Sequence, residues 1–329
     1  MISVTGAAGF VGRHVVLELL ARGYRVRGLM RDAAKARQAF GSPTPAGLEF
    51  AFGDICDARA LGELVRGTAA CIHLVGIIRE SRGGPGEKPQ TFERIHEQGT
   101  RAITEACRDA GVKRYLHMSA LGVSSEGRSL YQKSKFEAEQ IVRRSSLDWT
   151  IFRPSLIHGP EGEFVQMIAD IASGEVAPWF FIPYFVRSTR DQSVPGGAVT
   201  YTPANIQPVA VEDVAKAFVT AIEKPLSICE IYNLVGSEVL NWQELSEFMR
   251  DALPGTKKQM GTWHVPGEHA AVMATVAGAI GLGGLLPFDA GQAIMATEDS
   301  TADLYKVRAD LGIEPKPFRA TVRAYASQV

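Results

Sequence analysis

The chain has 329 residues, of which 46% are hydrophobic and 22% charged, and its formal net charge is −1. That length and balance fit a globular protein with a large core, and the near parity of acids and bases excludes the basic footprint of a nucleic-acid binder. Cys56, Cys71, Cys107 and Cys229 form no CxxC pair, and the seven histidines show no metal-ligand spacing with them, so no metal site is expected; with no secretory leader ahead of the first strand, the thiols read as reduced and the compartment as cytoplasmic.

Residues 2–4 read as a short buried strand. Thr5-Gly6-Ala7-Ala8-Gly9-Phe10-Val11-Gly12 follows at once, and then an apolar-periodic helix through Val15, Val16, Leu19 and Leu20. Strand, glycine turn and helix form the arrangement that holds a dinucleotide pyrophosphate. Gly6 permits the tight turn, Gly9 lets the backbone approach the phosphates, and Gly12 lets helix and strand pack closely. The free N–H groups and positive end of the helix then face the anion. Ala8, Phe10, Val11 and Arg13 join Gly6 and Gly9 as cofactor-binding candidates.

The second strand is expected over 24–30 and the third over 48–53, ending in Asp54. The fourth covers 70–76, an apolar run suited to a sheet buried on both faces. A helix over 91–110 stops at Gly111, a fifth strand covers 113–119, a helix 131–144, and a sixth strand 149–153 ended by Pro154. This alternation predicts an α/β fold, a doubly wound parallel sheet of Rossmann type, with ligands beyond the carboxyl ends of the strands. Gly6, Asp54, Gly76, Ser119 and Pro154 all fall at such ends.

Residues 1–158 are expected to form the dinucleotide-binding domain. Residues 159–329 are expected to form mostly a smaller substrate-covering region, with segments near 205–236 returning to the first domain. A helix is expected over 164–173. The aromatic stretch 179–185 reads either as the lining of an apolar pocket or lid, suited to a flat or isoprenoid-like molecule, or as a small core. A helix over 211–223, a strand over 230–235 and a capping-box pair, Asn241 with Glu244, come next. Residues 270–288 carry no charge but are rich in Ala and Gly. They read as a packed helix and turn, with a membrane-surface contact as the alternative.

The chemistry centres on Tyr131-Gln132-Lys133-Ser134-Lys135. Tyr131 and Lys135 are four apart on a predicted helix and share a face. A free phenol ionises near pH 10, too high for proton exchange at neutrality, and a nearby ammonium lowers that value. Tyr131 is therefore the candidate acid/base, Lys135 its tuning partner, and Ser119 the hydrogen-bond donor to the same substrate oxygen. At the end of the second strand, Met30 stands where an acid would bind a ribose 2′-OH, and Arg31 follows. An arginine there favours a 2′-phosphate, hence NADP(H) over NAD(H), with Arg13 as a second positive contact; Asp32, one step past the usual place, is the acid that an NAD(H) site would use instead.

These residues resemble the short-chain dehydrogenase/reductase superfamily of the extended or atypical kind, which is epimerase/dehydratase-like and NmrA-like. The match runs through the glycine turn, Gly53-Asp54, His73-Leu74-Val75-Gly76, Gly99-Thr100, Ser119, Tyr131 with Lys135, Arg153-Pro154, and 207–215. The segments 111–131 and Phe152-Arg153-Pro154-Ser155 resemble bacterial relatives of the nucleotide-binding accessory subunit of respiratory complex I. The resemblance implies that Asp54 and Ile55 contact the adenine and that Val75 and Gly76 line the cofactor. It also implies that Lys135 holds the ribose hydroxyls beside Tyr131 and that Pro154 borders the nicotinamide. It implies a hydride-transferring oxidoreductase acting on a small molecule, apolar or quinone-like. The alternatives are a non-catalytic NADPH-binding subunit, with a respiratory-complex or peripheral membrane association, and a sugar-nucleotide epimerase or dehydratase. The twelve-residue interval from Ser119 to Tyr131 is short for an epimerase. One departure stands out: His96 occupies a position where the superfamily often has Asn.

Overall fold

Strands and helices alternate from the first residues of the computed structural model, which describes residues 1–84, 88–191, 193, 197–279, 286 and 288–329. Strand β1 (Ile2–Thr5) leads to α1 (Phe10–Ala21), then β2 (Val26–Met30), α2 (Ala33–Phe40), β3 (Leu48–Phe52), α3 (Ala58–Val65) and β4 (Ala70–His73). A π-helical stretch (Glu93–Gln98) runs into α4 (Gly99–Asp109), followed by β5 (Arg114–Met118), α5 (Leu130–Arg143) and β6 (Asp148–Pro154). Beyond it come β7 (Ile157–His158), α6 (Glu163–Ser173), β8 (Phe181–Arg190), β9 (Val199–Pro203), β10 (Asn205–Ile206), β11 (Val209–Ala210), α7 (Val211–Ile222) and β12 (Glu230–Leu234). The last elements are β13 (Leu240–Asn241), α8 (Trp242–Ala252), β14 (Gly261–Pro266), α9 (Gly267–Ala279), α10 (Ala290–Met295) and α11 (Phe318–Tyr325).

The chain divides into two compact units. One comprises Met1–Pro154, Val211–Leu234 and Asp303–Glu314; the other comprises Ser155–Ala210, Val235–Ala302 and Pro315–Val329. The first unit is a doubly wound Rossmann fold. Its seven-stranded sheet runs β12-β6-β5-β4-β1-β2-β3, and every neighbouring pair is parallel. Strand order reverses between β1 and β4, which places the crevice for a ligand at the carboxyl ends of those two strands.

The central strands are buried on both faces, as their continuous apolar runs require. Ile2, Val4, Ile72 and Leu116 are all essentially inaccessible, each stabilising the fold by about 1.5–3 kcal/mol relative to exposure. One helical face of this core gathers Leu61, Leu64, Ile103, Cys107 and Val142 against Tyr115 and Ile151. Helix α7 packs beside α1, where Arg22 donates to Thr220 across 3.1 Å.

The second unit has its own core, in which Val165, Ile168, Leu245, Met249 and Phe318 meet. The capping box expected at Asn241 and Glu244 is present: Asn241 accepts from the Glu244 amide at 2.9 Å, and Glu244 accepts from the Asn241 amide at 3.1 Å. The aromatic stretch becomes strand β8 from Phe181 onward, parallel to β14 and antiparallel to β9. Trp179 and Phe180 precede it and are exposed, as is Trp263 on β14.

Two local readings change. The expected helix over 91–110 is not uniform, because its first part follows π-helical geometry before α4 begins. In the uncharged stretch 270–288, α9 extends to Ala279 and leaves Val272, Met273 and Val276 exposed, while 280–285 and 287 lie outside the described residues. Among the described residues no helix is long and apolar enough to cross a membrane.

Candidate active site

The glycine turn sits at the carboxyl end of β1. Gly6 has φ +70°, a left-handed conformation that glycine adopts without strain. A Cβ there would stand 3.1 Å from Leu74 C and Val75 N, so this turn abuts the end of β4. A Cβ on Gly12 would stand 2.0 Å from the Gly6 carbonyl oxygen, which no side chain tolerates. Gly9 begins α1 with extended backbone and has no side chain to cap the first-turn N–H groups, which suit an anion. The cradle therefore fits a dinucleotide pyrophosphate. Ala8, Phe10 and Arg13 are half-buried around it, and Val11 is buried. Phe10 meets His14 edge to face at 5.7 Å.

Around this turn the other candidate positions divide. Arg31 is exposed, and its guanidinium reaches Gln90 at only 3.5 Å. Asp32 caps α2, accepting from the Lys35 amide at 2.8 Å. Asp54 accepts from the Cys56 amide at 3.0 Å and from Arg94 Nη2 at 2.5 Å. Ile55 points into the apolar core, where a Cβ on Gly99 would touch it at 3.0 Å. Val75 and Gly76 form the turn after β4, and a Cβ on Gly76 would lie 3.4 Å from Lys135 Nζ and 3.5 Å from His96 Nε2. Pro154 ends β6 and accepts at its carbonyl from the Leu121 amide at 2.8 Å.

Helix α5 carries the candidate proton donor. Ser129 starts it with a capping box: its hydroxyl accepts from the Gln132 amide at 3.1 Å, and Gln132 Oε1 accepts from the Ser129 amide at 3.0 Å. This cap sets the phase of the helix, so Tyr131 and Lys135 share a face. The Tyr131 ring is clasped by aromatic neighbours, with Phe92 at 5.9 Å and His96 at 5.6 Å, both edge to face. Lys135 is buried and donates to the Met118 carbonyl at 2.7 Å. Ser119, the next residue, is also buried, and its hydroxyl has no hydrogen-bond partner among the described residues.

The electrostatics differ from the expected pairing. Burial pushes the Tyr131 phenol up to about 12, instead of an ammonium drawing it down. Burial also lowers Lys135 to about 8, with Glu139 opposing that shift. Burial alone accounts for the Tyr131 shift, while Lys135 directs its ammonium at the Met118 carbonyl. Glu139 lies one turn further along α5, fully buried, and is held bidentately by Arg153 at 2.8 and 2.5 Å. Burial and the Lys135 charge keep three imidazoles neutral: His73 falls to about 3, His96 to about 2, and His117 far below its ordinary value.

Arg94, Glu139, His73 and His117 were not singled out as site residues from sequence, and His96 only as a departure from the superfamily's Asn. Glu139 had a signal, since it stands four residues after Lys135 on the same face. Arg94 had none, because its partner Asp54 lies forty positions away.

A glycine cradle at the switch point of a parallel sheet, with tyrosine and lysine on one helix face beside β5, defines a pyridine-nucleotide-binding Rossmann protein. Residues 6–175 match the family described as NAD(P)H-binding, and the chain belongs to that family. Ceramide reductase of Caulobacter vibrioides is 29% identical over 267 residues, covering 81% of this chain and 71% of its own. The mitochondrial NADH dehydrogenase [ubiquinone] 1 alpha subcomplex subunit 9 of Dictyostelium discoideum is 25% identical over 256 residues, covering 76% of this chain and 63% of its own. Sterol demethylase protein B of Methylococcus capsulatus is 26% identical over 265 residues, 73% of each chain. Among solved structures, gox2253 superposes with a TM-score of 0.70 at 25% identity, covering 98% of this chain and 96% of that one. MoeE5 in complex with UDP-glucose and NAD shares the fold with a TM-score of 0.68 at 19% identity, covering 99% and 97%.

Proposed function

We propose that the chain is an NADP(H)-dependent reductase that moves hydride between the nicotinamide and a carbonyl or alcohol of an apolar small molecule. The observation that carries this reading is the Ser119 hydroxyl, buried and unpaired among the described residues, next to the carbonyl that anchors Lys135. A buried hydroxyl without a partner costs about 1–3 kcal/mol, and a substrate oxygen would remove that cost. The substrate class draws support from the names of two relatives, which refer to ceramide and to sterol.

The bound nicotinamide supplies the hydride. Phe10 and Val11 hold the pyrophosphate through backbone N–H groups, Gly6, Ala8 and Gly9 give it room, with the Gly9 amide turned back to the Gly6 carbonyl at 3.0 Å, and Asp54 with the Ile55 backbone borders the adenine. Arg31 and Arg13 attract the 2′-phosphate; Asp32 is already committed to capping α2. Val75, Gly76 and Pro154 line the nicotinamide half. Ser119 donates to the substrate oxygen, and Tyr131 passes its proton to that oxygen as the carbonyl is reduced. A phenol raised to about 12 keeps its proton at neutral pH, which suits reduction better than alcohol oxidation. Lys135 holds the ribose hydroxyls and stabilises the phenolate left behind.

A second reading is favoured by that same raised phenol and by the direction of the Lys135 ammonium: a nucleotide-binding subunit without turnover, associated with a membrane surface or a respiratory complex. The exposed apolar side chains of α9 and the complex I relatives support it. Incubating the protein with C4-deuterated NADPH and a panel of quinones, long-chain ketones and sugar nucleotides separates the readings. Deuterium on the carbinol carbon of a ketone product, or NADPH oxidation matched by hydroquinone formation, supports the reductase. NADPH retained without oxidation by any of them supports the subunit, and label exchange confined to sugar nucleotides would overturn both.

A further inference from the structure

His96 lies in the π-helical stretch before α4, a geometry frequent at functional sites. Its Nε2 is 3.1 Å from the Ile77 amide. A backbone N–H only donates, so Nε2 is bare and the neutral ring carries its proton on Nδ1. That proton is donated to the Ser134 hydroxyl at 2.8 Å, and the Ser134 hydroxyl donates in turn to the Tyr131 carbonyl at 3.0 Å. The imidazole is buried, stacked on Phe92 at 5.4 Å and set edge-on to Tyr131 at 5.6 Å. The chain Ile77–His96–Ser134–Tyr131 thus joins the turn after β4 to the first turn of α5. Among the described residues it is the His96 side chain that accepts from the Ile77 amide.

We propose that His96 is a positioning residue, whose Nδ1-protonated ring fixes the Val75–Gly76–Ile77 turn against Lys135 and Tyr131 and so sets how tightly the nicotinamide half is held. This rests on the nucleotide-binding reading. The Ile77 contact belongs to Nε2 and the Ser134 contact to Nδ1. Glutamine reproduces the reach of Nε2, and asparagine that of Nδ1. The two bonds are therefore separable by substitution.

The test compares the unaltered protein with His96→Gln, His96→Asn and His96→Leu, reading NADPH affinity by nicotinamide fluorescence and thermal stability in parallel. A long-range 1H–15N spectrum of the unaltered protein reads the His96 tautomer. His96→Gln keeps NADPH affinity within about threefold, whereas His96→Asn and His96→Leu, which leave the Ile77 amide unpaired, weaken it about tenfold. His96→Gln and His96→Asn lose similar thermal stability, since each removes one bond. Affinity that simply tracks stability across the three, His96→Gln as weak as His96→Leu, or a proton on Nε2 would each overturn the role. Failure of the unaltered protein to bind NADPH or NADH would instead overturn the nucleotide reading itself, a result distinct from the others.

Discussion

Lys135 donates from its ammonium to the carbonyl of Met118 across 2.7 Å, tying α5 to the end of β5 one residue before Ser119. The buried charge is thus held by the Met118 carbonyl and by the field of Glu139, one turn away. A site arranged this way carries a protonated lysine at a cost in stability, ready to engage ribose hydroxyls.

The sign of that cost is testable. Burial lowers Lys135 from 10.5 to about 8 in the folded protein. Below pH 8 both folded and unfolded chains hold the proton, and the full penalty of the buried charge is present. Between pH 8 and 10.5 the unfolded chain binds the proton and the folded one does not, so this group makes stability rise with pH. Lys135→Met is expected to raise the melting temperature by about 2–5 °C at pH 7, with the gain shrinking above pH 8. Calorimetry across pH checks this. The same variant should bind NADPH at least about tenfold more weakly.

Gly9 and Gly12 should respond differently to alanine. A Cβ on Gly12 would meet the Gly6 carbonyl oxygen at 2.0 Å, backbone against backbone, whereas one on Gly9 would stand at 3.2 Å. Gly12→Ala is expected to lose about 3 kcal/mol of stability. Gly9→Ala should fold with a loss below about 1.5 kcal/mol and lose NADPH affinity all the same, because Gly9 is where the phosphates approach. Denaturant titration and fluorescence binding separate the two effects.

Arg31 tests the choice of cofactor. Its side chain is exposed, and its contact with Gln90 is at the edge of hydrogen-bonding distance, so removing it leaves the fold intact. Arg31→Ala is expected to weaken NADPH about ten- to a hundredfold, the worth of one charge-assisted hydrogen bond, while NADH affinity stays within about twofold. Parallel losses for both nucleotides would refute the 2′-phosphate contact.

What the sequence discloses is local. The glycine turn, the strand ends and the four-residue step from Tyr131 to Lys135 are written in short-range spacing, and the structure places Gly6 beside Val75 and Gly76 beside Lys135. The couplings between Asp54 and Arg94, Ile77 and His96, and Glu139 and Arg153 span 14 to 40 positions. They exist only once strand order brings the carboxyl ends together, so no periodicity announces them. The raised Tyr131 phenol was also illegible, because spacing shows that a lysine is near but not where its ammonium points. The aromatic stretch reads as apolar from composition alone, and its partner strand, Gly261–Pro266, lies some eighty residues later.

The most direct measurement is the paired one on Tyr131→Phe: NADPH affinity by fluorescence, and single-turnover oxidation of bound NADPH by the most reactive acceptor. The substitution removes one hydroxyl and keeps the ring that packs against Phe92 and His96. The account predicts unchanged affinity and a rate lower by about 10²–10⁴-fold. Equal rates in both proteins would contradict it and remove Tyr131 from the chemistry.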